Sequence, residues 1–343
     1  MGRLDTVRAV GAAGVASAGS DVRLHVVTGK GGTGKTTVAA ALALALARNG
    51  RRVLLTEVED RQGIAQLFDT PPLPYEERRV AVAPGGGDVV ALAIDPEDAL
   101  LDYLEMFYRI KSSGLAARSL RKVGAIEFAT TIAPGLRDVL LTGKVKEAVV
   151  RRRGGQHVYD AVVLDAPPTG RVTRFLNVTG EVAGLARMGP IKTQSDGVMA
   201  VLRSPTTAVH LVTLLEEMPV QETADGLGEL AAAGFPLGRV FVNMTRKPLL
   251  PSVDLDRAAR GELDARALAR GASLAGLELD ERTAGVLVAE AGDHARRVAL
   301  EQRLRTDLAA VGRPVVELPL LPDGGDLAGL YRLADEISEQ GAA

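Results

Sequence analysis

The chain has 343 residues, 46% of them apolar, a formal net charge of -2, only 3% aromatics, and neither cysteine nor tryptophan. Without cysteine there are no disulfides, thiolate zinc or iron–sulfur centres, and no cysteine nucleophile. The near-neutral balance gives no general electrostatic pull toward nucleic acid or an anionic membrane, and the length allows one large α/β domain or two smaller ones.

In chain order, residues 1–21 read as a flexible N-terminal tail. Ala16-Ser17-Ala18 resembles a cleavage site behind Arg3 and Arg8, but Asp5 and a glycine- and alanine-rich centre make a poor secretory core, which favours a cytoplasmic tail. Apolar strand-like runs follow at 24–27, 53–58, 89–94, 158–164, 208–215, 240–242 and 315–318. Between them, 35–48, 136–152, 221–233, 283–311 and 327–339 carry helical composition or period. Asn49-Gly50 and Gly154-Gly155 read as helix stops, and prolines 71, 72 and 74 with glycines 85–87 bracket a polar irregular connection. Near-continuous apolar strands alternating with helices predict a mostly parallel sheet covered on both faces. No clean linker interrupts it, so the expected organisation is a single domain over 22–340 with helical insertions at about 95–131 and 180–207. The longest strongly apolar run, 38–47, is about half of the roughly 20 residues a bilayer span needs, so no stable membrane insertion is expected.

The sharpest local feature is Gly29-Lys30-Gly31-Gly32-Thr33-Gly34-Lys35-Thr36, directly after the first apolar run and opening a helix. It fits G-x-x-x-x-G-K-[ST] in the strand–loop–helix context of a phosphate-binding loop. Glycines let the backbone wrap phosphate oxygens, and loop amides with the positive helix end supply anion contacts, which Thr37 in the first turn extends. Lys35 is placed to neutralise β- and γ-phosphate charge and Thr36 to put its hydroxyl on Mg²⁺. The expected fold is therefore a three-layer P-loop NTPase. An apolar strand ending in one aspartate, Asp165, supplies a Walker B carboxylate for Mg²⁺, with a turn or helix-cap role as the alternative.

The additional Lys30 makes the loop resemble the deviant Walker A form K-G-G-x-G-K-[ST] of the MinD, ParA, nitrogenase iron-protein and ArsA group of dimeric switches. The stretch 165–176, D-A-P-P-T-G-R-V-T-R-F-L, narrows this: it is similar to the switch II pattern D-T-A-P-T-G-H-T-L-R-F-L of the ArsA and guided-entry ATPases. The resemblance implies a Mg²⁺-dependent, ATP-hydrolysing cytoplasmic dimer, homodimeric or paired with a paralogue, that couples nucleotide state to a protein client. It implies that Lys30 contacts phosphate across the dimer, that Gly170 senses the γ-phosphate, and that Glu59 stands where the family's D-P-A-H aspartate orients the attacking water and joins Thr36 and Asp165 around Mg²⁺, partly through water. Asp60, Arg61 and Gln62 replace the rest of that motif, and Glu57 and Asp60 are alternatives to Glu59. It further implies adenine contacts from Asn243 and from the loop around Pro319 and Pro322, although a strand-end asparagine also reads as a turn residue.

Thiolate arsenite transport and an intersubunit C-x-x-C zinc site both need cysteine and are excluded. Leu100, Leu101, Leu104, Met106, Phe107 and Ile110, with Met188, Ile191, Val198, Met199, Val201 and Leu202, could line a client groove or belong to core or dimer interface. Arg151-Arg152-Arg153 reads as a solvated helix end rather than a nucleic-acid contact, and the four histidines show no metal-ligand spacing. Other readings of the shared loop are a nucleotide-gated binding module with little turnover and a ParA-like positioning ATPase.

Overall fold

Strands that are apolar on both faces bury both only beneath helices on each side, and parallel pairing needs crossover connections long enough to provide them. The computed structural model, which describes residues 21–59, 62–108, 136–177, 190–321 and 326–343, has this arrangement. In chain order its elements are β1 (Leu24–Gly29), α1 (Lys35–Leu46), β2 (Arg52–Glu57), α2 (Gly63–Leu67), β3 (Arg78–Val82), β4 (Asp88–Ala93), α3 (Pro96–Tyr108), α4 (Leu136–Val150), β5 (Arg152–Arg153) and β6 (Gln156–His157). They continue with β7 (Ala161–Asp165), α5 (Thr169–Leu176), α6 (Pro190–Leu202), β8 (Thr207–Thr213), α7 (Glu217–Ala232) and β9 (Leu237–Thr245). The last are α8 (Ser252–Ala259), α9 (Ala265–Leu274), α10 (Glu281–Ala310), β10 (Val315–Pro319) and α11 (Leu327–Glu339).

The main sheet has eight strands in the order β10-β9-β8-β1-β7-β2-β4-β3. Every neighbouring pair is parallel except β3 with β4. The three-layer α/β P-loop fold expected from the sequence is the fold observed. Seven of the eight strands coincide with the apolar runs; β3 does not. Residues 71–87 are not wholly irregular, because Arg78–Val82 pairs antiparallel to β4 at the sheet edge. Its side chains are largely exposed, so it carries no apolar run. The Gly154-Gly155 pair, read as a helix stop, turns the small β5–β6 hairpin instead. Arg151 is not simply solvated: it pairs with Glu77 and its guanidinium lies 5.5 Å from the centre of the Tyr159 ring.

Two apolar clusters cover the two faces. One joins α3–α7 and the end of α10 to the sheet; the other joins α1, α2 and α11 to the opposite face. From Val38 to Ala47 every residue of α1 and its cap is buried, which suits an alanine-rich helix wedged between the sheet and α11. Asn49 and Gly50, both at positive φ, end it as expected. Asp264, Asp280 and Asp326 cap α9, α10 and α11 with their side chains. Leu100, Leu101, Val198, Met199 and Leu202 are buried and Leu104 and Val201 pack against them, so these are core rather than an open groove. The side chains of Met106, Phe107, Ile110, Met188 and Ile191 lie outside those described, as do residues 1–20 and the remainder of both insertions. Among the described residues no helix is long and apolar enough to cross a membrane.

His25 on β1 and His210 on β8 form a buried stacked pair, ring centres 5.3 Å apart, with Nδ1 of His25 3.1 Å from Nε2 of His210. His210 Nδ1 accepts from the Arg239 backbone N–H at 3.1 Å, so its proton sits on Nε2 and points to His25. Burial, with the Arg51 and Arg239 charges assisting, pushes His25 down to about 4, and burial, with His25, Arg239 and Arg313 assisting, holds His210 well below the usual histidine range. The unfolded chain takes up protons near pH 6.5 while the folded pair stays neutral, so stability is complete above that pH and is lost as pH falls below it. Urea unfolding should show about 2 kcal/mol less stability at pH 5.5 than at pH 7.5. The His25→Gln variant should show a shallower dependence, and an equal slope in both proteins would refute the account.

Candidate active site

The carboxyl ends of adjacent parallel strands converge on the loop between β1 and α1. β7 lies between β1 and β2, with Asp165 in register with Val27 on one side and Glu57 on the other. Gly29, at φ 152°, passes so close to β8 that a Cβ would stand 2.2 Å from the Val212 carbonyl oxygen. Gly34, at φ 83°, would put one 2.4 Å from the Asn243 side-chain amide. These two glycines are required by backbone shape and by packing together; Gly31 and Gly32 face open space. The loop is closed by the Lys30 carbonyl, which accepts from the Thr33 hydroxyl at 2.9 Å, the Thr33 N–H at 3.3 Å and Lys35 Nζ at 3.4 Å. Asn243 is 5% exposed and donates its amide to the Thr33 carbonyl at 2.9 Å, so here it braces the loop from β9. Thr37 follows in the first turn, half-buried. Pro319 ends β10 opposite Thr245, beside the same strand end, and Pro322 lies outside the described residues.

Thr36 Oγ1 donates to Asp165 Oδ2 at 2.6 Å, while Asp165 Oδ1 is buried with no hydrogen-bond partner. Burial pushes this carboxyl up to about 6 against the opposing pull of the Thr36 hydrogen bond and the Lys35 charge. A buried carboxylate with an unused oxygen beside a hydroxyl fits a hard divalent cation. Mg²⁺ commonly takes one or two carboxylates and completes its shell with waters and phosphate oxygens. Among the described residues no group of three or more histidines or carboxylates is placed to hold a metal.

Around this centre stand the switch segments. Glu57 is 4% exposed and accepts from the Ile64 N–H at 3.2 Å, so it holds the start of α2. Gly63 at that start lies against Thr36, where a Cβ would come within 3.1 Å of the threonine methyl. Glu59 is half-buried beside Pro167 and accepts from Arg171 Nη1 at 3.5 Å; Asp60 and Arg61 lie outside the described residues. Gln62 adopts a left-handed φ of 52° and clamps Leu73 through both its amide nitrogen and oxygen. Gly170, in the first turn of α5, faces open space where a Cβ would meet nothing within 4 Å. Lys30 makes a 2.6 Å ion pair with Glu222 of α7, a partner 192 residues away that no local motif signals.

A glycine-shaped loop between the central strand and a buried helix, with a lysine, a threonine hydroxyl and a strand-end aspartate, defines a P-loop nucleoside triphosphatase. Residues 22–202 match the ArsA_ATPase family, described as anion-transporting ATPase. The chain is 54% identical to the ATPase BagA of Mycobacterium tuberculosis over 323 residues, covering 94% of each chain. It is 27% identical to an arsenical pump-driving ATPase of Acidiphilium multivorum over 320 residues, 88% of this chain and 52% of that protein. An arsenical pump-driving ATPase of Escherichia coli is 28% identical over 270 residues, 74% of this chain and 45% of its own. The chain belongs to the ArsA ATPase family and is an ATP-hydrolysing enzyme.

The two kinds of glycine should separate in the laboratory. Gly29→Ala forces a methyl group into a backbone carbonyl that no rotamer can avoid, and should cost about 3 kcal/mol or more, lowering Tm by at least about 4 °C. Gly170→Ala has room and should melt within about 2 °C of the parent. Equal melting of the two variants in a calorimeter would contradict the assignment.

Proposed function

We propose that this ATPase is a Mg²⁺-dependent dimeric switch that couples its nucleotide state to a protein client in the cytoplasm. The observation that carries the reading is Thr36 hydrogen-bonded to Asp165 beside the unpartnered carboxylate oxygen. Thr36 and Asp165 hold Mg²⁺, the aspartate through water. Lys35 and the loop of Gly29, Gly31, Gly32, Thr33, Gly34 and Thr37 hold the phosphates. Glu59 orients the attacking water, and the open face of Gly170 lets its backbone read the γ-phosphate. Lys30, only partly buried at the rim of the loop, gives up Glu222 and reaches the phosphates of a second subunit, a copy or a paralogue. Adenine is read by Asn243 with Pro319 and Pro322.

The chain has no cysteine, so it works without the thiolate chemistry of metalloid binding. Neither nucleic acid nor stable membrane insertion enters this reading. A second reading, a nucleotide-gated module with little turnover, is favoured by Glu59 standing in place of an aspartate. Glutamate is one methylene longer, and water orientation depends on a fraction of an ångström.

Steady-state ATP hydrolysis should fall at least about 100-fold in Lys35→Ala and in Glu59→Gln while circular dichroism and melting stay unchanged. Full turnover in both variants would refute the catalytic assignment. Brisk turnover by the parent protein alone would remove the low-turnover reading. Glu59→Gln in ATP should run as a dimer by light scattering, retaining a client on affinity capture; a monomer in ATP would refute the switch.

A further inference from the structure

Arg171 occupies a position that helix electrostatics disfavours. It is the third residue of α5, whose first turn contains no acid, so its cation sits at the positive end of the helix. Its backbone is held there by the N–H bond to the Pro168 carbonyl at 2.8 Å. The compensating anion comes from another segment: Nη1 of Arg171 lies 3.5 Å from Oε1 of Glu59. The two residues also face each other across a cleft of about 230 Å³ that Val58, Pro167, Phe175 and Arg137 help to line. Their segments leave the neighbouring strands β2 and β7, one ending at Glu57 and the other at Asp165, which are register partners. The ion pair thus ties the segment after β2 to the first turn of α5.

The arginine side chain is 70% exposed and that of Glu59 is 25% exposed, so the pair adds only about 0–1 kcal/mol to stability. What it can change is orientation. A glutamate has one more rotatable bond than the aspartate expected at this position, and holding its carboxylate in one rotamer requires a partner. A planar guanidinium fixed on a short helix supplies one.

We propose that Arg171 is a positioning residue for ATP hydrolysis, its guanidinium holding the Glu59 carboxylate over the water site and tying the segment after β2 to α5. The inference rests on the water-orienting role proposed for Glu59.

The test compares Arg171→Ala, Arg171→Lys, Glu59→Gln and the Arg171→Ala/Glu59→Gln double variant of the full chain. Their kcat, KM for ATP, Kd for ADP by calorimetry and melting temperature are all measured. Arg171→Ala should lower kcat about tenfold with KM, Kd and melting within about twofold or 2 °C of the parent. Arg171→Lys should recover at least about half of the lost rate, and the double variant should be no slower than Glu59→Gln alone. The proposal is overturned if kcat of Arg171→Ala stays within twofold of the parent, if ADP affinity drops as much as kcat, or if the two losses multiply in the double variant. Full activity in Glu59→Gln would overturn the water-orienting reading as well. A slow Glu59→Gln beside an unaffected Arg171→Ala would overturn this proposal alone.

Discussion

The hydrogen bond from Thr36 to Asp165 is where three layers of structure meet. It ties the first turn of α1 to the end of β7, and it can form only because β1 and β7 are parallel neighbours in a register that brings Asp165 level with Val27. That register depends on β1 running down the middle of the sheet with β8 on its other side, so closely that Gly29 has no room for a side chain. The loop that leads into the buried α1 then needs glycine at both of its ends, Gly29 and Gly34. The local demand for flexible backbone and the global demand for tight strand packing fall on the same residues, a consistency across levels expected of a site that a fold is built around.

Electrostatics follows the same geometry. Burial raises the cost of the Asp165 charge, and its partner hydroxyl satisfies one oxygen only. The nearby cations do not relieve it in equal measure. Lys35 lies curled over the loop on the Lys30 carbonyl, and Lys30 itself is turned aside to Glu222. Under the proposed reading both lysines change partners when they grip phosphates, and the free oxygen of the carboxylate faces the cation. The arrangement is poised for an anion and a cation arriving together, which is how a nucleotide with its metal arrives.

Much of this was legible along the chain. Each strand that crosses the core carries an apolar run, so β1, β2, β4, β7, β8, β9 and β10 could be found from composition, and α11 coincides with the helical stretch 327–339. β3 could not, since an edge strand packs little and spends its pairing on one neighbour, leaving Arg78 and Arg79 in solvent. Within the site, residues bound to a local motif were visible, from Gly29 to Thr37 and at Asp165. Contacts between distant segments were not: Glu222 acquires its significance only when α7 lies beside the loop, and Asn243, singled out as a candidate adenine contact, also braces the Thr33 carbonyl from another strand. Gln62 looked like a broken motif, yet its left-handed backbone and double grip on Leu73 give the segment after β2 a shape of its own.

In that segment the chain departs from the family's switch I pattern, and the departure meets a second one just after Gly170. A longer acid stands at Glu59, and the residue after Gly170 is an arginine where the family pattern has histidine; in the folded chain these two changes touch. Glu57, register partner of Asp165 in the sheet, meanwhile accepts from the Ile64 N–H at the start of α2 with one of its oxygens. One substitution lengthens a side chain and the other supplies a planar cation to hold it, so each makes physical sense in the presence of the other. Removing Glu59 alone would take away the anion that faces Arg171 at the N-terminus of α5, and removing Arg171 alone would take one partner from the longer carboxylate.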